Sequence, residues 1–538
     1  MIFNIKRYLK NSFFKNIITN IKIKKKFSDL FKNAKLNKNK KNIILLEFNN
    51  WTFNHIAAGY ICDILSKKQQ AKIKGYPGYQ LIQSNLKQSY LNKFLWKLGN
   101  KASLKSFGIF KSLGIEDVLW PKVDLESEES ALKEIKKYKK KIKSKEDVQN
   151  YKINNILIGD LIYDSFLKKT LSATIDIKSP EFKNFFFDSL KLFFIWKGYF
   201  NKNKVTAVVG YHAVYLGAIP LRLAIYKKIP CYSFNIEKLY RLNKRRYLYN
   251  LEYLDYKKRF KEFSRDKKKI FLKIAKEKLT SRFNGLLNSD LIYTSESAYG
   301  KKSNKKVLRK SKNLKILIAP SSVSDSPHFL GNTFFPDLHE WLECLGKISN
   351  QSKYDWYIKC HPDYTTYFDK TVYYIKKFTK KYPKIKLLNS KTSHNQIIGE
   401  GINYVLTING TIAGEYPFYN INVINASSYH SHAEYDFSIT PKNRSEYIKV
   451  LKSLKTPSKT AIKQAEVLEH YYMKYQYFNN SWFFNDLNVI KKSVKGFQNV
   501  VRYEMYEYWL NNFDLNNHKK KYLEIKKFID SKEYVLRR

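Results

Sequence analysis

Between residues 314 and 425 one pattern recurs five times. A run of four to six residues dominated by apolar side chains gives way to a polar turn and then to a longer stretch of helical periodicity. The runs are 314–319 (LKILIA), 356–359, 385–388, 404–408 and 422–425. Strands this short and this continuously apolar are buried on both faces, so the pattern predicts a parallel sheet covered by helices on each side. A looser version fills residues 41–298. There, 42–48 (NIILLEF) reads as a buried strand, 49–54 as a turn and 55–67 as a helix. Further strands are expected at 155–158, 205–209 (VTAVV) and 231–234, with helices such as 215–226 beside them.

The intervening stretch 299–313 is polar and rich in lysine and serine, which marks it as a linker. Residues 120–150 carry mostly Lys and Glu and read as a solvated helical excursion. From 441 to 538 the chain is helical in pattern, aromatic-rich and without a confident strand. Within it, 470–478 reads as a terminal helix packing back onto the first domain rather than as a stacking surface. The organisation is therefore two successive α/β domains, 41–298 and 314–440, facing a cleft, with a helical C-terminal extension. Residues 1–40 place Ile2, Ile5, Leu9, Phe13, Ile17 and Ile21 at spacings of three to four among many lysines. That is a basic amphipathic helix, suited equally to an anionic membrane surface and to covering the edge of a core.

A chain of 538 residues that is 43 % hydrophobic and 16 % aromatic has too much burial capacity to be disordered. Four dispersed cysteines exclude a disulfide scaffold and a structural zinc module, and point to a reducing compartment. The formal charge of +54 invites a nucleic-acid reading. Nearly all of the excess is lysine, however, and it accompanies abundant Asn, Ile, Tyr and Phe, residues that share A/T-rich codons. A dedicated nucleic-acid surface favours arginine, so that partner is disfavoured. No signal peptide or spanning helix is expected: the most apolar window, 185–200, is broken by Asp188, Lys191 and Lys197. The expected location is the cytoplasm, in solution or peripheral on the inner face of the membrane.

Open parallel sheets bind ligands beyond the carboxyl ends of their strands. After 314–319 come Ser321, Asp325 and His328, hydroxyl, carboxylate and imidazole in one loop. After 356–359 come His361 and Pro362, with Lys359 adjacent, able to donate to a phosphate oxygen. After 404–408 come Asn409, Gly410 and Thr411, read as the start of a helix from about Ile412 that carries Glu415 on its first turn. A glycine turn at a helix start offers backbone N–H groups to an anion, and the acid is placed for ribose hydroxyls. Two such loops together make a nucleotide-phosphate signature.

The run Lys359-Cys360-His361-Pro362, then Asn409-Gly-Thr-Ile-Ala-Gly-Glu415 about fifty residues on, then Asn422-Val-Ile-Asn425, resembles the bacterial capsule and surface polysaccharide synthesis proteins. These are glycosyltransferases of the GT-B architecture, Kdo transferases among them, with polysialyltransferases and teichoic acid glycerophosphotransferases more distant. Ser324–His328, Phe335–Trp341 and Gly159–Asp164 look like further family stretches, and the resemblance spans residues 42–440. Cys360 departs from the small residue or proline usual before His-Pro. The resemblance implies two Rossmann-like domains, the second holding a nucleotide-sugar donor and the first a polysaccharide or lipid-linked acceptor. It implies no metal and no cofactor beyond the donor itself. For the base that takes the acceptor proton, the strand ends of the first domain offer Asp160, His212 and His55, with Glu47 behind them. Transfer of a polyol phosphate from a CDP-linked donor, and nucleic-acid binding, are the alternative readings.

Overall fold

The computed structural model describes residues 13–48, 52–78, 108–115, 119, 122–235, 237–286, 296–300, 303–365, 370–456, 464–477, 489, 490, 493 and 503–537. Within them two five-stranded sheets account for the two apolar series. The first is built from β1 (Asn42–Phe48), β2 (Ala71–Pro77), β3 (Val205–Gly210), β4 (Cys231–Phe234) and β5 (Leu239–Leu242), in the order 2-1-3-4-5. All its pairings are parallel except β4 with β5. The second is built from β6 (Lys315–Ile318), β7 (Asp355–Ile358), β8 (Ile385–Leu387), β9 (Tyr404–Thr407) and β10 (Asn422–Asn425), in the order 8-7-6-9-10, parallel throughout. Every residue of β7 and β9 is buried, as strands covered on both faces must be.

In each sheet the chain starts in the interior, winds to one side and then jumps back to the other. The first sheet reverses between β1 and β3, the second between β6 and β9. Such switch points leave a crevice at the carboxyl ends, because the two connecting loops diverge there.

Helices fill the outer layers. Phe27 of helix α1 (Phe13–Leu30), and Phe31 just beyond its end, pack on Gly59 of α2 (Thr52–Gln69), and Ile23 is buried in the same core. Gly59 of α2 permits that contact, since a Cβ there would stand 2.8 Å from the Phe27 ring. The other helices that matter below are α3 (Gly159–Thr170), α4 (Pro180–Lys202), α5 (Arg265–Phe283), α6 (Leu338–Gln351), α7 (His394–Gly399), α8 (Gln464–Tyr472), α9 (Tyr503–Asn511) and α10 (Leu515–Asp530). The last two return to the first half, where Met505, Tyr506, Ile525 and Phe528 join its core. Tyr471, Tyr472 and Met473 are likewise buried against first-half residues.

Three expectations need correction. Residues 155–158 do not add a strand to the sheet. Lys152–Ile153 and Ile156–Leu157 form a small antiparallel hairpin instead, turned by Asn154 and Asn155, both at positive φ (49° and 64°). Consecutive asparagines favour that turn because their side chains tolerate the left-handed region. The 120–150 excursion is helical but not merely solvated: Ala131, Tyr138, Ile142 and Val148 sit in the main core. Finally, strands β2 and β5 went unforeseen. The sequence of β2, AKIKGYP, alternates lysine with apolar residues and places a glycine and a proline at its end, which weakens a strand reading. Among the described residues no helix is long and apolar enough to cross a membrane.

Candidate functional site

The ladder of the second sheet runs to its carboxyl edge through Lys359 N–H donating to Ile318 O (3.1 Å), Ala319 N–H to Leu406 O (2.9 Å) and Ala426 N–H to Thr407 O (2.9 Å). Residues 359–361, 319–325 and 408–411 therefore leave the sheet side by side. With β6 alone between them, the first and last of these groups start about 10 Å apart.

Lys359 is buried, and its ammonium lies 3.4 Å from Nε2 of His394 at the start of α7. No carboxylate contacts it among the described residues. Because the lysine can only donate, Nε2 accepts, and the proton of the neutral ring sits on Nδ1, which lies 2.6 Å from the Tyr416 hydroxyl. Burial, then the neighbouring Lys359, His361 and Arg282, holds the His394 imidazole far below its ordinary range. Burial also pulls the Lys359 ammonium down to about 8. His361 keeps about a third of its side chain open to solvent. Its Nδ1 accepts from Asp363 N–H (3.2 Å), so the neutral ring carries its proton on Nε2, available as a donor. Burial lowers this imidazole against the opposing pull of Asp363.

The 409–415 turn differs from its expected form. No α-helix starts at Ile412: two 3₁₀ turns, Thr411–Gly414 and Tyr416–Tyr419, follow one another, and Thr411 makes no side-chain cap. Pro417 explains this, since it has no N–H and its ring clashes with the carbonyl four residues back. Gly410 is required because a Cβ would stand 2.7 Å from Thr407 Oγ1, the atom that accepts the Gly410 N–H at 3.1 Å. Asn409 is partly exposed and Thr411 exposed. Glu415, expected at the ribose, is buried. Its carboxylate takes an ion pair from Arg282 of α5 (2.6 Å) and a hydrogen bond from the Tyr299 hydroxyl.

The loop after β6 crosses to the first half. Ser321 stays partly exposed at the sheet edge. Asp325 accepts from Tyr215 (2.6 Å) and Lys168 (3.0 Å), yet leaves 56 % of its side chain exposed. The surrounding protein desolvates its carboxylate, and Lys168 and Tyr215 more than compensate, holding it below the usual range. His328 is sealed at the junction of the halves. Its Nδ1 lies 2.5 Å from Asp164 of α3 and its Nε2 2.9 Å from Gln149 Oε1. Two acceptors suit the imidazolium, and although burial opposes it the Asp164 carboxylate raises the His328 pKa. His328 thus ties the second half to the first through Asp164 and Gln149. Nearby, Asp337 caps α6 and accepts from Tyr163 (2.5 Å) and Thr174 (2.6 Å) of the first half.

Of the three candidate bases, one faces this junction. Burial lowers the His212 imidazole to about 4, with Asp325 pulling it up and Lys168 down. The ring follows β3 and packs beside Tyr211, Tyr215 and Tyr249. Behind it the Glu47 carboxylate, at the end of β1, accepts from Tyr211 N–H (2.6 Å). Asp160 is buried and ion-paired with Arg222 (2.6 Å), which removes it from any open surface. His55 lies in the core, 2.5 Å from the Tyr506 hydroxyl and packed on Phe110. Both lie buried away from the carboxyl edge of the second sheet.

Sequence reasoning passed over His394, Tyr299 and Arg282. His394 follows the helix-capping Ser393 just beyond β8, so the strand-end rule that flagged His361 would have found it. Nothing local marks Arg282 within a lysine-rich helix. Among the described residues no three His, Cys, Asp or Glu side chains gather as a metal site.

No family model matches this chain, and no curated protein matches it. Among solved structures it is similar to KpsC, the β-Kdo 2,4 transferase of Thermosulfurimonas dismutans, at 11 % identity over 50 % of this chain and 79 % of that one, with a TM-score of 0.30. It is also similar to the UDP-GlcNAc 2-epimerase of Methanocaldococcus jannaschii, at 11 % identity over 80 % and 97 %, with a TM-score of 0.23. The UDP-GlcNAc 2-epimerase of Neisseria meningitidis aligns at 8 % identity over 80 % and 99 %, with a TM-score of 0.21.

Proposed function

We propose that the protein is a glycosyltransferase of the two-domain, GT-B kind that moves a sugar from a nucleotide-activated donor to a surface polysaccharide or lipid-linked acceptor. One observation carries the reading: Lys359, a buried ammonium at the carboxyl edge of a parallel sheet, is matched by a neutral imidazole instead of a carboxylate. A buried ammonium with no carboxylate beside it is costly, and a bound anion offsets that cost. The half-open His361 and the 409–411 turn stand at the same edge, so the anion is the donor's phosphate. His361 donates from Nε2 and the turn donates from the Thr411 and Ile412 amides, Gly410 N–H being committed to Thr407. As the bond to the sugar breaks, Lys359 and these donors stabilise the charge that develops on the departing nucleotide.

The first half holds the acceptor in this reading. His212, neutral at physiological pH, takes the proton of the attacking hydroxyl, and the carboxylate of Asp325 stabilises the imidazolium that results. The test is thermal denaturation of the full chain with CMP, CDP, UDP, GDP and their sugar conjugates. One base raises the melting temperature, and His361→Ala abolishes the rise. His212→Ala leaves the rise intact and lowers transfer by about 10²–10⁴-fold.

A further inference from the structure

Helix α1 has two faces with different duties. Thr19, Ile23 and Phe27 are buried, Ile23 and Phe27 against the first-half core. The opposite face carries Ile18 (53 % exposed) and Ile21 (57 % exposed), at the i and i+3 positions of one stripe. Lys22 and Lys25 extend that stripe at i+4 and i+7, and Lys24 and Lys32 flank it, all exposed. Asp29 is the single acid of the helix. Beyond its end Leu36 is 79 % exposed among Lys38, Lys40 and Lys41, all exposed as well. These exposed aliphatic side chains add nothing to the core contacts of the helix, which are made on its other side.

Helix α10 also sets exposed leucines beside lysines, with Glu524 and Asp530 among them and Lys526 paired with Asp530. Leu515 and Leu523 are more than half exposed, with Lys519, Lys520, Lys526 and Lys527 exposed around them. The start of α10 and the residues before it approach α1: Lys26 stands 3.9 Å over the Phe513 ring, and Phe31, just beyond α1, lies 5.9 Å from His518 of α10.

We infer that the outer face of α1, extended by Leu36, docks on an anionic lipid surface. Ile18, Ile21 and Leu36 enter the boundary between headgroups and acyl chains, while the lysines meet lipid phosphates. Charge chooses this occupant: the face is basic with one acid, which fits an anionic leaflet and repels a second copy of itself. The interleaved isoleucines distinguish it from a nucleic-acid surface, which gains nothing from exposed aliphatic groups. The proposal goes beyond the transferase reading and does not depend on it.

Flotation of the full chain with phosphatidylcholine vesicles, with and without phosphatidylglycerol, tests it. The chain should float with the anionic vesicles, stay behind with the neutral ones, and be released by high salt. Ile18→Asp with Ile21→Asp, and separately Lys22→Glu with Lys24→Glu and Lys25→Glu, should each weaken partitioning by about tenfold or more. Both sets lie on exposed positions, so melting temperatures should match the parent. The proposal is overturned by no flotation at low salt, by flotation untouched by either set, or by duplex DNA bound through the same lysines as tightly as the vesicles. A drop in melting temperature for the isoleucine variants, without loss of flotation, overturns it too, because the face would then be covered by the chain itself.

Discussion

Lys359 sets two requirements that pull in opposite directions. Its fall from the ordinary 10.5 to about 8 is worth about 3 kcal/mol against the ammonium form in the folded chain. A buried lysine matched only by an imidazole is thus a weakness of the unliganded fold and a strength of the liganded one. Replacement Lys359→Met should raise the melting temperature of the chain alone while removing any stabilisation by nucleotide. The sign of the pH dependence follows directly. Below about 8 the ammonium is present to hold the proposed anion; above it the amine is neutral. Nucleotide-induced stabilisation should therefore fade as pH rises through that value, as melts across a pH series will report. Arg282 and Glu415 behave differently, because each supplies the other's counter-charge inside the protein. Arg282→Met alone should cost about 3–5 kcal/mol in denaturant unfolding, and adding Glu415→Leu should recover part of it.

At the scale of elements, the strands of the second sheet were legible because each is a short apolar run closed by a turn, and all five fell where the pattern put them. The first sheet was only partly legible. Strand β2 hides behind alternating lysines whose charged ends reach water, and β5 is an antiparallel edge four residues long. The 409–415 turn was located but misread, since Thr411 before an apolar stretch resembles a helix cap while Pro417 ends any such helix at once. Its geometry rests on the close approach of Gly410 to Thr407. Gly410→Ala should cost about 1–3 kcal/mol in denaturant unfolding through that contact, and a smaller group at 407 should reduce the penalty.

At the scale of the molecule, no local signal announces which residues tie the halves together. His328 stands in a polar loop after a strand, and its partner Asp164 lies well over a hundred residues away, a distance no periodicity bridges. The pair makes the union of the halves sensitive to pH. The His328 pKa is raised in the folded chain, so its contribution is complete below about 6.5, the unfolded value, and is lost as pH climbs through the folded one. The stability gap between the parent and His328→Gln should therefore be widest in mild acid and narrow toward alkaline pH. Equilibrium unfolding of both chains over that range measures it.

The proposed transferase requires a phosphate held jointly by Lys359, His361 and the 409–411 turn. The direct measurement is calorimetric titration of the full chain with nucleoside mono- and diphosphates, beside Lys359→Met and His361→Ala. Saturable binding of one base, lost in both variants while their folds remain cooperative, is the expected result. Binding that survives both substitutions, or none by any nucleotide, contradicts it.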